Sequence, residues 1–363
     1  MSPLGWSAST RRATIRALIV VALIATSCGG GTATASPPAA TSAVPSAQGT
    51  PTETPRSNVA IKIGYAPGSP PHLWPVAAGT LGLYQKYGLK ASFEPSDQTT
   101  ARVAALTGKV TDFVEVTPSD LFSADAAGAS LRIVLGVQNK DPLELIVRPG
   151  INSFNDLRGK VGATFAIGGN QQVTGSRILR KEGLDPNKDV SWLACGSLQG
   201  CSAALLAGRA DFTLTSAQSL FQLQDQGFKV LAKARDYGSY PTWVLITRQD
   251  LIDRDPGLVR DVVQAVAESI KTIRDDRKKG TDLLVDFLQA TDRPLTEKVL
   301  DWYLGATEPG CPSVAGLDGV KADVAVTNPA VSSVASASIV NNSFVQAVAA
   351  RAPGLVGTMD CGK

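Results

Sequence analysis

The sequence predicts an α/β protein of two similar lobes, each a mostly parallel sheet flanked by helices, with a helical tail behind them. Three observations carry this expectation. A short phrase occurs twice, as Leu106-Thr-Gly-Lys-Val-Thr-Asp-Phe113 and as Leu206-Ala-Gly-Arg-Ala-Asp-Phe212. Strand-like and helix-like segments alternate on both sides of each copy. The chain has 363 residues, 44% hydrophobic and 18% charged, which suits a globular body of about two domains. In both copies an amphipathic run closes on a glycine, Gly108 or Gly208, the residue type that takes a left-handed conformation without Cβ strain. An Asp-Phe pair then opens an apolar run of strand composition. The phrase marks one helix–turn–strand unit in each lobe.

The N-terminus is of another kind. Arg11, Arg12 and Arg16 precede the short apolar run 17–25, and small residues lead into Cys28. Residues 1–27 read as a secretory signal, since the apolar run is too short to span a bilayer. Small residues directly before a cysteine resemble a lipobox, which implies cleavage before Cys28 and lipidation of its thiol. Ala25 stands where lipoboxes usually carry Leu, so an ordinary cleavage site nearby is the alternative. Residues 28–58 are almost all Gly, Ala, Ser, Thr and Pro, too poor in apolar surface to fold, and read as a disordered tether. Removal of 1–27 leaves 32 basic and 32 acidic residues, a neutral balance that offers nothing to nucleic acid.

Four further cysteines remain: Cys195, Cys201, Cys311 and Cys361. An even number in an exported chain favours disulfides, and of the three possible pairings Cys195–Cys201 with Cys311–Cys361 is the expected one. Cys195 as a plain buried strand residue is the alternative. With one histidine and no Cys-x2-Cys pair, no metal site is expected.

The first lobe opens with a strand at 59–65, where apolar and polar residues alternate. A breaker-rich loop over 66–74 leads to a helix at 75–87, then come a strand at 89–94, a helix at 99–107, a strand at 112–116, a helix at 118–127 and a strand at 131–137. A second series comes next: strands at 141–147, 160–164, 189–194, 211–215 and 228–232, with helices at 153–157, 171–182, 202–207 and 216–226 between them. A returning strand at 241–247 precedes Asp255-Pro256, an N-cap with a first-turn proline, which starts a long helix expected to end near Gly280. Leu258, Val259, Val262, Val263, Val266, Ile270 and Ile273 give that helix one apolar face. Helices are expected at 281–290 and 296–304; the Val-, Ala- and Ser-rich remainder carries no readable pattern. The lobes divide as 59–140, 141–240 and a return over 241–363, with crossings near Asp141–Leu143 and Tyr240–Trp243 as a two-strand hinge.

Several stretches together resemble a known family. Gly79-Thr-Leu-Gly-Leu-Tyr-Gln-Lys-Tyr-Gly-Leu89, Leu106-Thr-Gly-x-x-x-Asp112, Ile151-x-Ser-Phe-x-Asp-Leu-Arg-Gly-Lys160 and Leu179-x-x-x-Gly-Leu-x-x-x-x-Asp-Val190 look like the solute receptors of ABC importers. The nearest branch is the sulfonate/nitrate/pyrimidine-precursor one, similar to SsuA and NMT1/THI5-like proteins. The resemblance covers about 59–290 and implies a two-lobe periplasmic-binding-protein-like (type II) fold that closes on a small-molecule solute and hands it to an ABC permease with its ATPase subunit. It also implies that the C-terminal helices return to the first lobe. The expected protein is a monomer on the outer face of the cell membrane, held there through the lipid anchor only.

In open parallel sheets ligands bind beyond the C-terminal strand ends. That rule selects Gly68, His72 and Trp74 after the first strand, and Thr117 and Ser119 after the third. In the second lobe it selects Phe165, Gly168, Gly169, Asn170 and Gln171, then Ser197, Thr215 and Ser216, with Tyr240 at the hinge. The run Gly168-Gly-Asn-Gln-Gln172 opens a helix, whose free N–H groups could hold an anionic oxygen; a plain turn that needs glycine for shape is the alternative. Trp243 is either a cleft aromatic or hinge packing, His72 either a donor to ligand or an exposed loop residue, and Glu115 either a contact for a cationic group or a solvent-facing side chain. These loops hold no lysine or arginine, so the ligand's charge stays open. No Gly-x-Ser-x-Gly, His-Glu-x-x-His or phosphate-loop motif is present, so an enzyme and a cofactor are not expected. A secreted enzyme on a related fold and a sensing receptor not coupled to transport are the rival readings.

Overall fold

A computed structural model describes residues 56–361. The expected signal segment 1–27, Cys28, the expected tether as far as residue 55, and Gly362 and Lys363 lie outside the described residues.

The first sheet comes from β1 (Val59–Tyr65), β2 (Leu89–Pro95), β3 (Phe113–Val116) and β4 (Leu131–Gln138), with α1 (Leu73–Thr80), α2 (Leu83–Lys86), α3 (Thr99–Thr107) and α4 (Pro118–Ala126) between them. The chain then builds the second sheet from β5 (Glu144–Val147), β6 (Lys160–Thr164), β7 (Val190–Ala194), β8 (Phe212–Thr215) and β9 (Lys229–Lys233), interleaved with α5 (Asn170–Lys181), α6 (Leu198–Leu206) and α7 (Ala217–Asp225). It returns to the first sheet in β10 (Trp243–Arg248) and ends in α8 (Gln249–Arg254), α9 (Pro256–Asp275), α10 (Arg277–Leu288), α11 (Arg293–Ala306), α12 (Val314–Ala325) and α13 (Ser343–Arg351). Among the described residues no helix is long and apolar enough to cross a membrane.

The strand orders are β2-β1-β3-β10-β4 and β7-β6-β8-β5-β9. In each sheet one strand runs against its neighbours, β10 in the first and β5 in the second. Each of these is the strand by which the chain arrives from the other sheet. The two crossing segments bond to each other, Thr242 N–H to the Gln138 carbonyl at 2.9 Å and Tyr240 N–H to the Asn139 carbonyl at 3.2 Å.

Apolar side chains decide what covers each face. Phe113 and Leu245 pack with the α9 face, whose seven predicted apolar residues are all buried, while Val114, Val116, Val244 and Ile246 pack with Leu121 and Leu317 on the opposite side. In the second sheet Leu145, Phe212 and Leu214 meet Ile178 and Leu179 of α5.

The repeated phrase has the same bonding in both copies. The Asp112 N–H donates to the Lys62 carbonyl at 2.7 Å, and its Oδ2 accepts from the Lys62 N–H at 2.9 Å. In the second copy Asp211 makes the same pair with Val161, at 2.8 and 2.9 Å. The second carboxylate oxygen takes an arginine next to the antiparallel strand: Arg248 to Asp112 at 3.2 Å and Arg148 to Asp211 at 3.3 Å. Each aspartate thus ties three neighbouring strands at one end of its sheet.

Several expectations change. The left-handed residue of the first copy is not Gly108, at φ −76°, but the inserted Lys109, at φ +62°; in the second copy it is Gly208, at φ +68°. The long helix does not run to Gly280. Asp276 leaves helical geometry, at φ −120° and ψ 88°, and caps a new helix by accepting from the Lys279 N–H, so Gly280 lies inside α10. Glycine is needed there for close approach, since a Cβ would lie 2.6 Å from Ile273 and 3.0 Å from Leu300. Arg56, the single base of the segment expected to be a tether, is ion-paired to Asp255 at 2.5 Å and to Asp261. The C-terminal stretch without a readable pattern holds α12 and α13, and α12 packs on the first lobe through Leu317 and Val320.

Both disulfides form in the expected pairing. Cys195–Cys201 and Cys311–Cys361 have Cα–Cα separations of 5.2 and 5.0 Å.

Glu115 is neither exposed nor paired. It alternates with Val114 and Val116 on β3, which turns it to the α9 side, where it is 0% exposed and neither oxygen has a hydrogen-bond partner. Burial holds its carboxyl well above the usual carboxylate range, against a weaker downward pull from Arg102.

Two of these local conflicts are open to direct measurement. A left-handed non-glycine residue costs about 1–2 kcal/mol, while glycine loses about 0.5–1 kcal/mol in chain entropy. Lys109→Gly is therefore expected to stabilise the protein by about 0.5–1 kcal/mol in urea melts, because the exposed Lys109–Asp250 ion pair it removes contributes little. Folded Glu115 keeps a proton that the unfolded chain releases above about pH 4.3, so stability is lost as pH rises from there toward the folded pKa. Glu115→Gln, which does not titrate in either state, should be the more stable protein at pH 7. Its advantage should grow as pH rises from the unfolded value toward the folded one, by at most about 1.4 kcal/mol per pH unit; melts at pH 5, 6 and 7 check the rise, and a constant difference would refute it.

Candidate functional site

The C-terminal ends of the parallel strands of both sheets open on one cavity of about 440 Å³, a size ordinary for a small-molecule site. The first lobe lines it with Thr117, Ser119 and Asp120, where β3 runs into α4. The second lobe contributes Gly168 and Asn170 at the entry to α5, and Ser216, the N-cap of α7. Thr117 and Ser216 hold matching positions, each just past the strand that its copy of the repeated phrase begins. The crossings add Asp141, Tyr240 and Trp243, and the C-terminal helices add Trp302, Tyr303 and Asp323.

Three carboxylates face this space. Asp120 accepts from the Thr117 hydroxyl at 2.6 Å, within a Thr-x-x-Asp capping arrangement at the start of α4. Asp141, fully buried, accepts from the Thr174 hydroxyl at 2.6 Å, the Arg177 guanidinium at 3.0 Å and the Leu143 N–H at 3.0 Å. Asp323 accepts from the Tyr240 hydroxyl at 2.9 Å. Burial pushes all three carboxyls upward, and the hydrogen bonds pull each back in part. Arg177 also lies over the Tyr240 ring at 4.2 Å. Trp302 donates to Glu144 at 3.2 Å, which joins α11 to the first strand of the second sheet.

Of the sequence-predicted residues, Thr117, Ser119, Gly168, Asn170, Ser216 and Tyr240 line the cavity, as does Trp243, the candidate cleft aromatic; the others do not. His72 and Trp74 are 0% exposed. Pro70 and Pro71 start a 3₁₀ turn instead of breaking the chain, so helical structure begins earlier than expected and carries both side chains inward. The His72 ring stands edge-on to Trp243 at 5.1 Å, and burial followed by Arg102 pushes its pKa down to about 3. Gln171 is spent on backbone: its carbonyl accepts from Phe165 N–H at 2.6 Å and its amide donates to the Leu214 carbonyl at 2.5 Å. Ser197 caps α6 by accepting from Gly200 N–H at 2.9 Å. Thr215 is buried at the end of β8, and Phe165 is 53% exposed outside the lining. Gly68 and Gly169 each sit one residue from a lining position, before Ser69 and after Gly168.

The sequence pattern did not point to Asp120, Asp323, Trp302 or Tyr303. The Thr117-x-x-Asp120 spacing was a usable signal, since a carboxylate there belongs to the first turn of a helix at a strand end. Trp302 and Tyr303 looked like helix core, and Asp323 lies in the stretch with no readable pattern.

The fold is the two-lobe periplasmic-binding-protein fold. The periplasmic aliphatic sulphonate binding protein SsuA from Escherichia coli superposes with a TM-score of 0.63 at 20% identity, over 76% of this chain and 94% of that one. The alkanesulfonate-binding protein SsuA from Xanthomonas axonopodis pv. citri, bound to MOPS, gives 0.57 at 18% identity, over 78% and 99%. The Bacillus subtilis (strain 168) protein YtlA is 21% identical over 233 residues, 62% of this chain and 70% of YtlA. Residues 69–279 match the family described as NMT1/THI5 like, a span that takes in all four of the stretches carrying the resemblance. The chain belongs to the NMT1/THI5-like family.

Proposed function

We propose that this protein is the extracytoplasmic solute-binding receptor of an ABC importer, tethered to the membrane through Cys28. It captures a small organic solute between its lobes and delivers it to a permease. The observation that carries the reading is the cavity itself. It lies where the C-terminal strand ends of two sheets face each other, with Thr117 on one side and Ser216 on the other, and the crossing segments beside it. Two lobes joined by a pair of bonded crossings can close by hinge rotation on a ligand held between them. The names of the SsuA relatives agree with a solute-binding role. A hydrolytic reading draws no support from the site, because the one histidine of the chain is buried with both ring nitrogens unpartnered.

A broad solute screen by thermal shift tests the reading. A true ligand at a hundred times its Kd should stabilise the protein by about 2.7 kcal/mol and change the fluorescence of Trp243 and Trp302. A screen without any shift, joined by turnover of a substrate, would sink the receptor role. Cys28→Ala should move the protein from the membrane fraction to the medium or soluble fraction; unchanged lipid labelling would remove the anchor from the proposal.

A further inference from the structure

We infer that the solute taken by this cavity carries a positively charged nitrogen, seated against Asp120 and Asp323 on the first-lobe side beside the rings of Tyr240 and Trp243. The inference rests on the receptor reading and goes further by naming the charge of the ligand.

The lining contains the carboxylates of Asp120, Asp141 and Asp323 and, among the described residues, no lysine, arginine or histidine. The basic side chain that pairs with one of these carboxylates is Arg177. It is committed to Asp141 at 3.0 Å and stacked on Tyr240 at 4.2 Å. Asp141 is thereby neutralised from behind. Asp120 and Asp323 have no ion-pair partner among the described residues. Each is held by neutral donors, the Thr117 hydroxyl and N–H for Asp120 and the Tyr240 hydroxyl for Asp323. Arg102 acts on Asp120, and Arg177 and Arg180 on Asp323, only through space and without direct contact, so two partly desolvated carboxylates still present oxygens on which a ligand cation can make a direct pair.

The walls between them suit the same chemistry. Tyr240, Trp243, Trp302 and Tyr303 all line the cavity, and aromatic faces attract an ammonium group through the ring quadrupole. An anion would have to rely on helix N-termini, and the one on the first-lobe side is already answered. The α4 terminus carries Pro118, which has no N–H, and its own Asp120. At the α5 entry, Phe165 N–H and Gly168 N–H donate to the side-chain carbonyls of Gln171 and Gln172, each at 2.6 Å, but both lie ahead of the helix, whose own first-turn N–H groups carry no side-chain cap. The α7 terminus, where Ser216 makes no side-chain cap bond, remains for an uncharged or oxygen-bearing end of the solute. The cavity is polarised, with acceptors and rings toward the first lobe and hydroxyls and amides toward the second.

The test compares charge-matched probes on the purified protein by thermal shift and titration calorimetry. The cations are choline, benzylamine and putrescine; the anions are ethanesulfonate, benzenesulfonate and nitrate; benzyl alcohol is the neutral control. At least one cation is expected to bind, the anions are not, and Asp120→Asn and Asp323→Asn should each weaken that cation about tenfold or more. A circular-dichroism melt of each variant keeps loss of binding apart from loss of folding. Binding of a sulfonate or nitrate, strengthened by either Asn variant, would overturn the charge inference and leave the receptor reading standing. Cation binding unchanged in both variants would overturn the placement at Asp120 and Asp323. No binding by any probe would count against both readings.

Discussion

Each sheet is tied by one carboxylate at the start of its central strand, Asp112 in the first lobe and Asp211 in the second. With one oxygen and its own N–H, each aspartate closes a two-bond pair onto the neighbouring parallel strand. With the other oxygen it takes an arginine from beside the antiparallel strand. That strand has arrived from the other lobe and has no hairpin to set its position. The arginine–aspartate pair is one of the polar contacts that hold its end, and a partly buried carboxylate stripped of its partners would be costly. Because these ties gather at one end of each sheet, the loops between strands and helices at the other end can be spent on a cavity.

The opposite end has a different electrostatic character. Its acids are lining groups whose partners are mostly hydroxyls, and desolvation raises their affinity for protons or for a cation. Asp141 is the exception. It sits at a crossing, where Arg177 and Thr174 from α5 fix the segment that joins the lobes. Tyr240, on the other crossing, lies under the same arginine and reaches Asp323 of α12. One polar chain of four residues therefore connects both crossings, the second lobe and a C-terminal helix. Trp302 adds a second link from α11 to Glu144. The C-terminal helices close the cavity as well as covering the sheet.

Much of the fold was legible, for identifiable reasons. The parallel strands are short apolar runs bounded by breakers, and α9 has a strict three-to-four spacing of Leu, Val and Ile. The places where reading failed are those where one local signal competes with another. Gly280 looked like a stop, but Asp276 four residues earlier is the stronger signal because its side chain caps the next helix. Pro70-Pro71 looked like a breaker and served as the first turn of a helix, which buried His72 and Trp74. Gly108 looked like the left-handed residue, yet the inserted Lys109 occupies that position.

The sequence by itself determined the two-lobe plan and pointed to the strand ends at Thr117 and Ser216; it favoured one of three disulfide pairings, which the fold then decided. The plan and the strand ends depend on period, composition and chain order, which are local properties. Tertiary structure alone decided which side chains line the cavity and what charge they present. Asp120, Asp141, Asp323 and Trp302 come from four different parts of the chain, and nothing in their own neighbourhoods says that they meet. Their meeting is set by the packing of α4, α11 and α12 about the crossings. The repeated Asp-Phe phrase could mark the strands that lead to the cleft, but the polarity of the cleft belongs to residues that only folding brings together.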